Sequence, residues 1–199
     1  MFNEVSGYIL AGGKSSRMGT DKAFLKIGEK TFVENAVEIL QPVCESRVKI
    51  VLSQDQIHFI AKLPPKIACV FDIYKNRGAL GGIHAAFNDC QTKYAVILAV
   101  DLPFVTNEVF IKLAETLSDS LEFSAIIPKQ NNSKLQPLCG IYIKNDCLPK
   151  LENLLNNNAS VSVHQFLEKI NTKVIKYVEL QTDSRALFNV NFSEDYENL

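Results

Sequence analysis

Short apolar runs alternate along this chain with segments whose apolar residues recur at helical spacing. Val5 to Ala11 predicts a first strand, and Phe32, Val33, Ala36, Val37 and Leu40 predict a helix over Thr31 to Leu40. Val48 to Leu52 and Ile67 to Phe71 predict two more strands, with Pro64-Pro65 closing whatever helix lies between them. Ala79 to Cys90 predicts a helix, and Tyr94 to Val100 a strand apolar on both faces, as suits the centre of a parallel sheet. Thr106 is placed to cap a helix through Phe110, Leu113 and Leu117. Strands at Phe123 to Ile127 and Leu138 to Ile143, helical patterns at Asn145 to Leu155 and Val161 to Ile170, and a strand at Lys173 to Val178 complete the pattern. Ser118 to Leu121, Lys129 to Leu135 and Asn156 to Asn158 are expected as polar loops. The order, mostly β, α, β, α, predicts an α/β fold: an open, mostly parallel twisted sheet with helices on both faces. In such sheets ligands collect at the carboxyl ends of the strands.

Length adds one domain, since 199 residues with 47% apolar content bury a single good core and no linker or repeat divides them. Charge adds little. Lys plus Arg number 21 and Asp plus Glu 22, a net charge of -1 that gives no general attraction to nucleic acid or to anionic membrane, so any anion has to be caught locally. The N-terminal stretch has an acidic residue and no basic one before its short apolar run, and nothing later approaches bilayer length, so a cytoplasmic protein without membrane or nucleic-acid partners is expected. Five cysteines without a C-x-x-C pair read as reduced core residues, and the three histidines, His58, His84 and His164, are scattered.

Chemistry concentrates after the first strand, in LAGGKSSRMGTDKA over residues 10–23. Gly12 and Gly13 let backbone approach a ligand closely, while Lys14, Arg17 and Lys22 can neutralise a polyphosphate. It is not a Walker loop, because five residues separate Gly7 from Gly13 where that pattern has four. There is no G-x-G-x-x-G either. A turn that merely releases a strand needs neither this length nor these cations. Asp72 and Asp101 follow two further predicted strands and converge on the same sheet edge. From spacing alone, Asp101 in Asp-Leu-Pro fits a metal carboxylate or a turn before the next helix equally well, and Asp72 also fits a solvated loop.

The 10–23 segment resembles the signature L-A-G-G-x-S-x-R-M-G-x-D-K of the molybdenum cofactor guanylyltransferases, within the wider Rossmann-like nucleotidyltransferase fold. Asp72 with Arg77-Gly78-Ala79-Leu80-Gly81-Gly82 resembles the family's acidic residue and G-P-L-A-G, and Val100-Asp101-Leu102-Pro103-Phe104 resembles C-D-x-P-F. Gln136-Pro137-Leu138 resembles Q-P-L, and Asn189-Val190-Asn191 resembles N-x-N-T-P-E, so the likeness runs through residues 1–199 as one nucleotidyltransferase domain. Ala79 stands where the family has proline, and Phe192-Ser193-Glu194-Asp195 departs from T-P-E.

The resemblance implies transfer of GMP from GTP to molybdenum-molybdopterin with release of pyrophosphate, Mg²⁺ as the cofactor, and acceptor molybdoenzymes or their chaperones as partners. It assigns catalytic roles to Arg17, Lys22 and Asp101, with Asp101 also holding the metal. Nucleotide contacts fall to Leu10, Ala11, Gly12, Gly13, Lys22, Gln54, Asp72, Gly78 and Asp101, and pterin contacts to Gln136, Asn189 and Asn191. Backbone N–H groups around Ala11 to Gly13 are expected to hold phosphates. The alternatives are a molybdopterin cytidylyltransferase, a sugar-1-phosphate nucleotidyltransferase, and a non-catalytic GTP-binding delivery protein.

Overall fold

The computed structural model describes residues 4–12, 21–74, 76–118, 122–157, 160–191 and 193–197. Its elements in chain order are β1 (Val5–Leu10), a 3₁₀ turn (Lys22–Phe24), β2 (Lys26–Ile27), β3 (Lys30–Thr31), α1 (Phe32–Cys44), β4 (Val48–Ser53) and a 3₁₀ segment (Gln54–Lys62). Then come β5 (Ala68–Asp72), α2 (Ala79–Asp89), β6 (Tyr94–Ala99), α3 (Asn107–Ser118), β7 (Ala125–Lys129) and β8 (Cys139–Ile143). The chain ends with α4 (Lys144–Asn157), α5 (Val163–Leu167), β9 (Thr172–Lys176), α6 (Tyr177–Leu180) and α7 (Ser193–Glu197).

The main sheet has seven strands in the order β5-β4-β1-β6-β8-β7-β9. The chain leaves β1 toward β4 and β5, then crosses back to pair β6 on the other side of β1. That reversal opens a crevice at the carboxyl ends of β1, β4, β5 and β6, which are mutually parallel. β8 is antiparallel to both β6 and β7, so β7 and its parallel neighbour β9 also end on this edge. The mostly parallel α/β sheet expected from the sequence is present, with one reversed strand.

Side-chain alternation gives the sheet two cores. Along β1, Val5 and Ile9 pack with α1 and α3, while Tyr8 and Leu10 pack with α2, α4 and α5 on the opposite face. Helix α1 starts where the periodicity places it, because Thr31 and Glu34 form a reciprocal capping box. Several boundaries need correction, Ser118 closing α3 and Lys129 closing β7 where loops were expected to begin. Asn156 and Asn157 continue α4 and are not a loop. The pattern at 161–170 yields only the short α5. The last strand stops at Lys176, where Glu179 caps the turn that follows. The β2-β3 hairpin has no counterpart in the sequence reading, being too short for a period to register.

Candidate functional site

A cleft of about 890 Å³ opens at the crevice. Leu10, Ala11 and Gly12 form its wall at the end of β1, and Ser53, Gln54 and Asp55 border it after β4. Asp72, Tyr74, Asn76 and Gly78 line the passage from β5 to α2. Lys22, Val100 and Asp101 close the side beyond β6. Leu10, Ala11, Gly12, Lys22, Gln54, Asp72, Gly78 and Asp101 therefore share one cavity. Gly13, Lys14 and Arg17 lie outside the described residues.

The end of β1 fits by absence of bulk. A Cβ on Gly12 would lie 2.9 Å from the Ser53 backbone nitrogen, so only glycine lets the two strand ends run this close. Of the amides expected to hold phosphates, Ala11 N–H (3.0 Å) and Gly12 N–H (3.1 Å) both donate to the Val51 carbonyl, and Gly13 lies outside the described residues. These two residues shape the wall, and their amides finish the β1-β4 pairing.

Lys22 and Asp101 supply the opposed charges. The Lys22 turn is pinned by buried Ala23 and by Phe24, whose ring meets Phe59 edge-on at 5.1 Å. Asp101 follows β6, which is tied to β1 by a bond from Val100 N–H to the Leu10 carbonyl (3.1 Å). Lys22 Nζ consequently sits 3.6 Å from Asp101 Oδ2, an ion-pair distance longer than a hydrogen bond.

The C-terminal strap locks this pair. Val190 N–H donates to the Asp101 carbonyl (2.9 Å), Asn189 Nδ2 donates to Asp101 Oδ1 (3.1 Å), and Lys22 Nζ donates to Asn191 Oδ1 (3.0 Å). Gln136, buried at 4% exposure, donates from Nε2 to Asn189 Oδ1 and to the Leu187 carbonyl. Gln136 is not among the residues lining the cleft, and the amides expected to meet a pterin bond to one another, to Asp101 and to Lys22.

Asp72 sits at the opposite wall. Its Oδ1 accepts the Tyr74 N–H (2.7 Å), and Gly81 of α2 packs directly against the carboxylate. Burial pushes the Asp72 carboxyl above its ordinary range, with the Tyr74 N–H and nearby His84 pulling the other way. Helix α2 brings Gly78, at φ +54, and Ala79 to the cleft, so its N-terminal dipole favours a bound anion.

Sequence reasoning missed Tyr74 and Asn76. Tyr74 stacks edge-on to buried His84 (4.7 Å), and its hydroxyl donates to Asn156 Oδ1 (3.2 Å) on α4. The available signal was their position directly after a predicted strand, where the loops of such sheets carry function. His84 Nε2 lies 3.4 Å from Glu152 Oε1, and its buried Nδ1 has no hydrogen-bond partner.

Among the described residues no group of three His, Cys, Asp or Glu could cage a metal. The donor set fits Mg²⁺ nonetheless, since that ion is commonly held by one or two carboxylates with substrate phosphates and water completing its shell. No helix among the described residues is long and apolar enough to cross a membrane.

A family model described as the MobA-like NTP transferase domain matches residues 7–173. The chain is 35% identical to a probable molybdenum cofactor guanylyltransferase of Clostridium perfringens, over 98% of this chain and 95% of that one. It is 31% identical to a protein of the same description from a Geobacillus species, over 99% and 98% of the respective chains. Among solved structures it resembles molybdopterin-guanine dinucleotide biosynthesis protein A of Archaeoglobus fulgidus, with a TM-score of 0.78, 23% identity, and coverage of 97% and 95%.

Proposed function

The chain belongs to the MobA-like NTP transferase family, and from that premise we propose that it transfers GMP from GTP to molybdopterin bearing molybdenum, releasing pyrophosphate and forming the guanine dinucleotide cofactor. The observation that carries the reading is the Lys22–Asp101 pair, 3.6 Å apart, at the mouth of a cleft built from the ends of four parallel strands. The curated relatives' description as probable molybdenum cofactor guanylyltransferases supports guanine as the base.

The reaction needs no protein nucleophile. The attacking group is a phosphate monoester with a second pKa near ~6, already mostly dianionic at neutral pH, so positioning and charge neutralisation suffice. Lys22 supplies a positive charge to the phosphates, held in place by Asn191 and Asp101. Asp101, its other oxygen engaged by Asn189, presents a hard oxygen donor that would hold Mg²⁺. When bound, the ion supplies charge neutralisation at the α-phosphate. Arg17, outside the described residues, is assigned to the departing pyrophosphate. Gln54 and Asp72, which line the cleft together with Gly78 and Ala79 at the start of α2, are assigned to the nucleoside.

The test is pyrophosphate release from GTP, Mg²⁺ and molybdenum-loaded molybdopterin, with Lys22→Ala as the control. Release no greater than the control's removes the enzymatic reading. Nucleotide at about a hundred times its Kd adds roughly 2.7 kcal/mol to stability, a Tm rise on the order of 5–10 °C for a chain of this size. GTP is expected to give a larger shift than CTP, ATP or UTP, and equal shifts refute guanine selectivity.

A further inference from the structure

The amides expected to read the acceptor are already used within the protein, which leaves open where its bulky end lies. Gln136 is buried and bonded to the strap, Asn189 is bonded to Asp101, and Asn191 accepts from Lys22. A second cavity of about 420 Å³ is lined in part by Leu187 and Phe188 of that strap. Gln130, Asn131, Asn132, Tyr177, Leu187 and Phe188 line it.

Its position relative to the reacting end follows from topology. β7 and β9 are parallel and finish on the same sheet edge as β1 and β6, so both cavities open along one rim. Leu187 forms a wall of the second cavity, and Asn189, with one residue between them, touches Asp101. Two residues of chain span at most roughly 7 Å. A molecule about as long as a fused bicycle plus a phosphate arm bridges that interval.

The lining chemistry selects which end lies there. None of its side chains is charged, so the cavity has no counter-charge for a phosphate, whereas Lys22 provides one on the other side. Phe188 keeps 44% of its surface exposed and offers an open aromatic face. Gln130 Nε2 is committed to the Leu187 carbonyl, which leaves Oε1 as an acceptor. Asn132 Oδ1 accepts from Lys134 N–H, which leaves Nδ2 as a donor. An exposed ring beside a free amide acceptor and a free amide donor matches a flat, neutral heterocycle with an amide-like edge.

We propose that this cavity binds the fused-heterocycle end of the acceptor, stacked on Phe188, while the acceptor's phosphate crosses the 187–191 strap to Lys22 and Asp101. The assignment rests on the transferase reading above, and its test separates the two. Pterin itself, which is fluorescent, serves as the probe in a quenching titration of the full chain without nucleotide. Phe188→Ala is expected to weaken pterin binding and raise the acceptor KM by about tenfold, in the range of aromatic stacking on a heterocycle. Phe188→Trp restores both, and kcat and the GTP-induced Tm shift stay as in the unmodified protein. Absence of pterin binding to the unmodified protein, or equal affinity and KM in Phe188→Ala, overturns the assignment while leaving GTP-driven pyrophosphate release intact. Absence of that release with pterin binding still dependent on Phe188 overturns the reaction and leaves the cavity's ligand class standing.

Discussion

Gly81 tests the coupling between α2 and the Asp72 wall of the cleft through a single methyl group. It is the third residue of α2, and a Cβ there would stand 2.6 Å from Asp72 Oδ1 and 2.7 Å from Asp72 Cγ, closer than real carbon atoms approach. The strand beneath cannot yield cheaply, because Asp72 is in register with Ser53 in the β4-β5 ladder. The carboxylate must therefore swing away from the Tyr74 N–H it accepts at 2.7 Å. A hydrogen bond to a charged group contributes about 1.5–3 kcal/mol, and Asp72 is only half-buried, so the lower end applies. Against this, alanine in place of a helical glycine contributes about 0.4–1 kcal/mol. Gly81→Ala should then lose about 0.5–1 kcal/mol, a Tm fall of roughly 1–4 °C, and weaken nucleotide binding because Asp72 leaves the cleft wall. In an Asp72→Ala background nothing is displaced, and the same substitution should raise Tm by a similar amount. Thermal unfolding of the four proteins, with and without GTP, gives the coupling directly, at about 1.5 kcal/mol. If Gly81→Ala stabilises the unmodified chain as much as it stabilises Asp72→Ala, the packing argument is wrong.

Two further outcomes follow from the same wall and its partner. Lys22→Ala removes the ammonium shared by Asn191 and Asp101, and a charge-assisted contact of about 1.5–3 kcal/mol corresponds to a kcat/KM for pyrophosphate release lower by roughly 10–150-fold; activity within twofold refutes the role. For Asp72 the folded carboxyl is raised by burial, so its stabilising share is complete below the ordinary carboxylate range and is lost as pH rises through the raised value. Asp72→Asn, which keeps an acceptor for Tyr74 N–H, should thus melt higher than the unmodified chain at pH 7, and the difference should close near pH ~4. An equal or lower Tm at pH 7 contradicts that sign.

Periodicity located most of the sheet because its central strands, β1 and β6 above all, are buried on both faces. Val5, Tyr8, Ile9 and Leu10 serve two cores at once, and a continuous apolar run of this kind stands out from any neighbouring pattern. What escaped was decided by features with no period. The reversal of β8 leaves no mark on its own apolar run, which serves an antiparallel strand as well as a parallel one. A close approach of Gly140, where a Cβ would meet Ile127 at 2.8 Å, belongs to this packing and looks in sequence like any other glycine. The end of α4 was misplaced because asparagines favour loops by local preference, and here tertiary contacts outweigh it: the Leu155 carbonyl accepts from Arg77 and the Asn156 side chain from Tyr74.

At the cleft, which residues meet was legible in the sequence and how their polar groups pair was not. Gly12, Lys22, Asp72 and Asp101 are spread over 90 residues of chain, yet each falls at or beyond the carboxyl end of a strand that topology brings to one edge. The amides show why the inference stops there. Gln136, Asn189 and Asn191 gather around Lys22 and Asp101, but an amide next to a carboxylate and an ammonium can either bind substrate or fix the two charges. Here the bond from Asn189 Nδ2 to Asp101 and the bond from Lys22 Nζ to Asn191 Oδ1 commit donor and acceptor groups to the second task. Fixing matters because a lysine carries about 2 kcal/mol of rotamer entropy that is otherwise lost only when the phosphates arrive. On the proposed reaction, a strap that holds Lys22 and Asp101 beforehand shifts that cost from the reaction to folding, which is the form preorganisation takes when catalysis relies on placement of charge.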